Sequence, residues 1–269
     1  MAEVNEEYVI IIEDKVNTSE HNNQLERYEK VVKENYGNNI KIVYIYLKTG
    51  LEPSDIIQNI KTKGWNYISR KDFLDFLQSQ NPQSEIYSEY LSNLLELQKE
   101  SESFTKYDKL NSWEATKGLY SYIENYLEND LENYQENNFK HWEYVPNPRG
   151  GFLGMWFHFT QLASNKNCEL YLQIENYCNG KINLFIKICK EWERNLDSLY
   201  NIFKVIQDNS TKTDLSISKP AKYQIGKYTS VAIVNDVFVK KENEDLDLEN
   251  LIKKLETAIA LINSVADLL

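Results

Sequence analysis

Two continuous apolar runs constrain this chain more than any other feature: Tyr8–Lys15 (YVIIIEDK) and Lys41–Leu47 (KIVYIYL). Both are short and rich in β-branched residues, so both read as buried strands. Between them, His21–Tyr36 carries Leu25, Tyr28, Val31, Val32 and Tyr36 along one helical stripe, and Gly37-Asn38-Asn39 stops it. A strand, a helix and a second strand in this order normally make parallel neighbours joined by a right-handed crossover.

The rest of the chain adds to this unit. Trp65–Ile68 is a third short strand, and Ser69 caps a helix through Gln78 with Phe73, Leu74 and Leu77 on its apolar face. Asn81-Pro82 is a break. Helices follow over Ile86–Phe104 and, capped by Ser112, to about Tyr134. The texture then changes. Pro146 to Gly151 is a turn, with strand-like runs near His141–Val145, Phe152–Leu162, Glu169–Tyr177 and Lys181–Ile188. Asn179-Gly180 signals a two-residue hairpin between the last two. A helix over Trp192–Gln207, a strand run over Tyr228–Val239 and a closing amphipathic helix over Leu246–Leu268 complete the reading. The expected class is α/β, α+β overall: a strand-helix-strand core over residues 1–82, then long helices and an antiparallel sheet over 83–269. No flexible linker divides the two, so they can share one core.

Charge narrows the function. Thirty Lys and Arg stand against 41 Asp and Glu, a formal charge of −11 over 269 residues. A body this acidic is not coated for non-specific nucleic-acid binding, so a phosphate backbone would need a local basic groove or a bound metal. The acidic opening MAEVNEE does not resemble a signal peptide, and Val9–Ile12 is far short of the roughly 20 apolar residues of a membrane helix. Cys168, Cys178 and Cys189 match no zinc spacing and are odd in number. They read as reduced thiols of a cytoplasmic protein.

The chemistry concentrates at the end of the first strand. Alternation places Glu13 and Lys15 on one face, about 6–7 Å apart, with Asp14 on the other. A carboxylate beside an ammonium at a strand end can hold a hard cation and polarise a water. Gln24 and Tyr28 share a helix face, where an amide and a phenol can orient a phosphate or the strand-end lysine. The plainer alternatives are an ion pair at a strand end and a Tyr28 packed in the core. His21 reads as a helix-start residue, His141 and His158 as core or interface residues, and Trp142, Trp156 and Phe157 as sheet core before base-stacking platforms. Pro148-Arg149-Gly150-Gly151 reads as a hairpin turn rather than a phosphate loop.

The stretch IIIEDKVNTSEHNNQLERY resembles the core of the PD-(D/E)XK nuclease superfamily, with Glu13-Asp14-Lys15 as the acid-x-lysine and Gln24 and Tyr28 as Gln-xxx-Tyr. The likeness continues through VYIYL (Val43–Leu47) and WNYISRKDFLDFL (Trp65–Leu77). YVPNPRGGFLGMW (Tyr144–Trp156) and LYLQIE (Leu170–Glu175) look like the C-terminal region of bacterial members. The resemblance implies a restriction-endonuclease-like fold and hydrolysis of DNA phosphodiesters with Mg2+ or Mn2+. Glu13 and the Asp14 backbone carbonyl would be metal ligands, and Lys15 would orient the attacking water and stabilise transition-state charge. Gln24 and Tyr28 would support metal-bound waters or the substrate strand.

One departure matters. Active members carry an aspartate on the strand before the acid-x-lysine strand, itself preceded by a helix and another strand. Twelve residues precede Glu13 here, so the core is expected to lack its N-terminal part. Three accounts stay open. The upstream half is missing, or the site has degenerated and the scaffold serves binding or interaction, or the acid comes from a partner chain or from elsewhere in this one. Glu20 is the best local candidate. A missing neighbour would also leave the Tyr8–Lys15 strand with an exposed edge, an invitation to homo-oligomers.

Overall fold

The computed structural model describes residues 1–4, 7–20, 22–36, 40–80, 84–131, 140–148, 150–192 and 194–269. His21, Gly37-Asn38-Asn39, Asn81-Pro82, Arg149 and the expected helix end near Tyr134 lie outside the described residues. The chain divides into two units, Met1–Ser101 and Glu102–Leu269.

In the first unit, strand β1 (Ala2–Val4) turns back antiparallel onto β2 (Tyr8–Lys15), opposite Tyr8–Ile10. Helix α1 (Gln24–Tyr36) leads to β3 (Lys41–Lys48), which runs parallel to β2 along its whole length, from Tyr8↔Lys41 to Lys15↔Lys48. Helix α2 (Ser54–Thr62) then leads to β4 (Asn66–Ser69), parallel to β3 from Ile45↔Asn66 to Lys48↔Ser69. The sheet order is β1-β2-β3-β4. Val9, Ile11 and Tyr46 pack with Leu25 and Val32 of α1, Ile60 of α2 and Trp65 as the core of this unit. The expected crossover is present, although α1 starts three residues late. Asn22 and Asn23 sit in the left-handed region (φ 54° and 51°), which delays the first helical turn. Helix α3 (Arg70–Ser79) starts where Ser69 and Asp72 form a capping box. Helix α4 (Glu85–Glu102) packs Leu94 with Leu74 and Leu77. Helix α2 was not legible beforehand; its nine residues give little more than two turns of periodicity.

In the second unit, α5 (Trp113–Asn129) precedes four antiparallel strands: β5 (Lys140–Val145), β6 (Phe152–Gln161), β7 (Cys168–Asn176) and β8 (Ile182–Lys190). Helix α6 (Leu196–Ser210), β9 (Ile217–Ser218), β10 (Thr229–Val234) and α7 (Leu248–Ala266) follow. The six strands run β5-β6-β7-β8-β10-β9, and every pairing is antiparallel. One face carries Trp142, Met155, Ile174 and Leu184 across four strands, all buried against the helices. Tyr120 Oη and the Trp142 indole fix this face, donating to the Leu153 carbonyl and to Glu124 Oε2, each at 2.8 Å. A bulge between Phe157 and Thr160 puts His158 in the left-handed region (φ 56°), so His158 and Thr160 both reach Asn263 of α7. The hairpin at Asn179-Gly180 differs from expectation. Tyr177 N donates to Lys181 O, closing a three-residue loop in which Cys178 and Gly180 both take positive φ. The register Asn176↔Ile182 requires that odd count.

Candidate active site

The alternation of β2 places Glu13 and Lys15 on the face that α1 covers. Lys15 is 7% exposed, and Asp14 points to the opposite, exposed side. Lys15 Nζ lies 2.8 Å from Glu13 Oε1 and donates to Gln24 Oε1 at 2.8 Å. The other end of the same amide, Gln24 Nε2, donates to Tyr28 Oη at 2.6 Å. The four side chains therefore form one continuous chain across β2 and the first turn of α1. Tyr28 is 36% exposed and ends the chain at solvent, not in the core.

Glu20 stands just outside this chain. Its Oε1 accepts from Gln24 N at 2.9 Å, which starts α1, and its Oε2 lies 3.4 Å from Lys63 Nζ. Those contacts hold the helix end that carries Gln24. Strand β1 adds another acid, Glu3, opposite Val9. It shares the face of Glu13 but sits four residues back, about 13 Å along the strand, and hydrogen-bonds with Tyr36 Oη.

In-register parallel pairing widens the site laterally. Glu13, Tyr46 and Tyr67 form one row across three strands, and Lys15, Lys48 and Ser69 the next. Lys48 is 2% exposed; it donates to the Thr18 carbonyl at 2.8 Å and lies 2.8 Å from Glu52 Oε2. That contact with Glu52 is electrostatic, because neither carboxylate oxygen of this buried residue meets hydrogen-bond geometry among the described residues. The Tyr46 hydroxyl is likewise buried without a hydrogen-bond partner. Burial raises the Tyr46 phenol well above its ordinary pKa, and the charge of Glu52 raises it further. Lys48, Glu52 and Tyr46 were not singled out from sequence. The available signal was Lys48 itself, a lysine ending the second buried strand as Lys15 ends the first.

The donor set bears on a cation. Among the described residues, no group of three or more His, Cys, Asp or Glu side chains stands together as a metal site. The chain offers Glu13 and the neighbouring backbone carbonyl, while Mg2+ is usually held by one or two carboxylates plus phosphate oxygens and waters. One carboxylate and one backbone carbonyl would leave most of an Mg2+ shell to phosphate oxygens and waters.

The other expected positions are scattered. His141 stands beside Trp156, with ring centroids 5.3 Å apart. Trp142 and Phe157 are buried core, and Trp156 is half-buried on the opposite face of the sheet. All three cysteines are free, and burial raises Cys168 and Cys178 to about 11 and Cys189 to about 12. Among the described residues no helix is long and apolar enough to cross a membrane.

A mixed α/β unit whose parallel strand end carries an acid-x-lysine tied to Gln-xxx-Tyr is the arrangement that the resemblance to the PD-(D/E)XK nuclease superfamily implies. The family model of the PD-(D/E)XK nuclease superfamily matches residues 2–145, more than half of the chain, and this protein belongs to that superfamily. No curated protein and no solved structure matches the chain.

Proposed function

We propose that the first unit hydrolyses DNA phosphodiesters. The observation that carries this reading is the chain Glu13–Lys15–Gln24–Tyr28, in which Lys15 is held by two oxygens at 2.8 Å. Lys15 orients the attacking water and faces the charge that develops on the phosphoryl oxygens. Gln24 fixes the lysine through its carbonyl and is itself fixed by Tyr28, whose exposed end supports the substrate strand. Glu13 and the Asp14 carbonyl would hold Mg2+ or Mn2+ together with the substrate's phosphate oxygens. When bound, such an ion supplies Lewis-acid polarisation of the phosphate and of a water. Three reduced thiols fit a cytoplasmic setting. Among the described residues β1 pairs with β2 over Tyr8–Ile10 alone, and the edge beyond Ile10 fits a homo-oligomer.

A second reading is favoured by the lack, among the described residues, of any group of three or more His, Cys, Asp or Glu side chains that could hold a metal ion. On it, the scaffold binds without cleaving. Labelled single- and double-stranded DNA incubated with the chain in Mg2+ and in Mn2+, beside Glu13→Ala and Lys15→Ala, separates the two. Cleavage lost in both variants supports the nuclease. No cleavage, or cleavage indifferent to both changes, supports the binding scaffold.

A further inference from the structure

The face of the six-stranded sheet opposite Trp142, Met155, Ile174 and Leu184 lines a cavity of about 810 Å³. Most of it lies beyond Val145, where the family match ends. Its walls are aromatic. Phe159 stacks on Tyr171 with centroids 4.6 Å apart and planes 6° apart, and Phe152, Trp156 and Tyr228 complete the lining. The bulge at His158 is what aims Phe159 here. It sends His158 to α7 and leaves Phe159 opposite Tyr171.

The floor is polar and buried. Gln173 is 6% exposed and Lys187 9%. Tyr171 Oη donates to Gln173 Oε1 at 3.3 Å, and Gln173 Nε2 donates to Glu175 Oε1 at 2.9 Å. Lys187 Nζ donates to the same oxygen at 3.1 Å, and Tyr177 Oη to the other at 2.7 Å. An amide has two N–H donors and an ammonium three, so Gln173 and Lys187 each keep donors beyond these bonds. The Gln173 carbonyl keeps a lone pair beside its spare N–H. Among the described residues the charged lining is Glu143 and Glu169 with Lys187, Lys190 and Lys227; Lys190 lies 2.5 Å from Glu169, and Lys187 3.1 Å from Glu175 behind the lining.

We propose that this cavity binds a planar nitrogen heterocycle, a nucleobase, between its aromatic walls, with Gln173 and Lys187 on the polar edge of the ring. Flat walls select a flat ligand. An adjacent donor and acceptor on one amide match the edge of a base. Lys187 and Lys190 are each already paired with a carboxylate, which disfavours a polyphosphate, and the volume suits a nucleoside. Free nucleosides and the bases of a single strand share this chemistry. The site does not depend on the reading of Glu13 and Lys15.

The test is calorimetric binding by the full chain of adenosine, guanosine, cytidine and thymidine, of a short single-stranded oligonucleotide, and of ribose 5-phosphate as a ring-free control. At least one nucleoside should bind and ribose 5-phosphate should not. Tyr228→Ala and Trp156→Leu should each weaken binding by about 5- to 150-fold, the range that stacking of one base commands. Tyr228 is 57% exposed, so its removal leaves the fold intact even where Trp156→Leu does not. Glu13→Ala should leave nucleoside binding unchanged, which separates this site from the cleavage site. A strand that binds more tightly than any nucleoside, and is weakened by Tyr228→Ala, assigns the base to a polynucleotide; equal affinities assign it to the free nucleoside. Absence of nucleoside binding overturns the proposal. So does equal binding of ribose 5-phosphate, and so does nucleoside or strand binding that Tyr228→Ala leaves unchanged.

Discussion

Lys15 is positioned from two sides, and the two sides are not equivalent. Glu13 supplies charge, while Gln24 supplies direction, because its amide is itself anchored by Tyr28. Gln24→Leu keeps the ion pair and removes the direction. If the unit cleaves DNA, this variant should lose about 100-fold in kcat with a much smaller change in KM. Single-turnover cleavage beside Tyr28→Phe, which keeps the ring and removes the hydroxyl that Gln24 donates to, measures the effect. A KM effect alone would make Gln24 a substrate contact instead. His158 offers a second residue-scale test. Burial lowers its pKa below the ordinary 6.5, and the Asn263 contact offsets that only in part. The folded state thus disfavours the protonated ring, so stability is full above pH 6.5 and falls as pH drops through the folded pKa. Thermal melts across pH 7 to 5 should show a shallower decline for His158→Asn, which tolerates positive φ and does not titrate.

Elements were legible where periodicity was long or capping chemistry was explicit. Ser69 located the start of α3, whose end at Ser79 lies one residue past the expected Gln78, and the two apolar runs located the parallel pair. Replacing Ser69 by Ala should cost about 1 kcal/mol, read from denaturant unfolding. Glu13, Lys15, Gln24 and Tyr28 were found because alternation and the i, i+4 rule are local. Lys48 and Tyr46 were not, because their place beside Lys15 and Glu13 comes from strand register, which no single segment encodes, and Glu52 meets Lys48 from the loop after β3. The hairpin loop was misjudged by one residue for a similar reason: Asn-Gly specifies a turn, but the Asn176↔Ile182 register decides how many residues it spans. The edge of β2 carries the element-scale prediction about assembly. β1 covers only Tyr8–Ile10, and Ile12 is 50% exposed. The chain should self-associate at high concentration by light scattering, and Ile12→Lys should reduce it. A clean monomer at high concentration would remove the edge as an interface.

At the scale of the molecule, the acidic body and the chemistry of its sites are reconciled by pairing. The lysines near the strand end each face a carboxylate: Lys15 with Glu13, Lys48 with Glu52, Lys63 with Glu20 and Glu26. The formal charge of −11 gives no long-range attraction for a polyanion. DNA association should therefore be weak in Mg2+-free buffer and strengthen when the cation is added. Filter binding in chelator and in Ca2+, which supports binding without requiring turnover, tests this directly. Tight binding in chelator would point to a basic surface elsewhere.

The Lys48–Glu52 pair has a consequence for how this fold can vary. Both side chains are buried, and they straddle the loop that leaves β3. Changing either alone strips a buried charge of its nearest counter-charge, at about 3–5 kcal/mol, whereas exchanging both for apolar residues of similar size can be nearly neutral. Lys48→Met with Glu52→Leu should thus melt closer to the parent than either single variant does. Descendants of this chain face a valley between two tolerated states, so the two positions travel together: a lineage keeps the ionic lock whole or discards it whole.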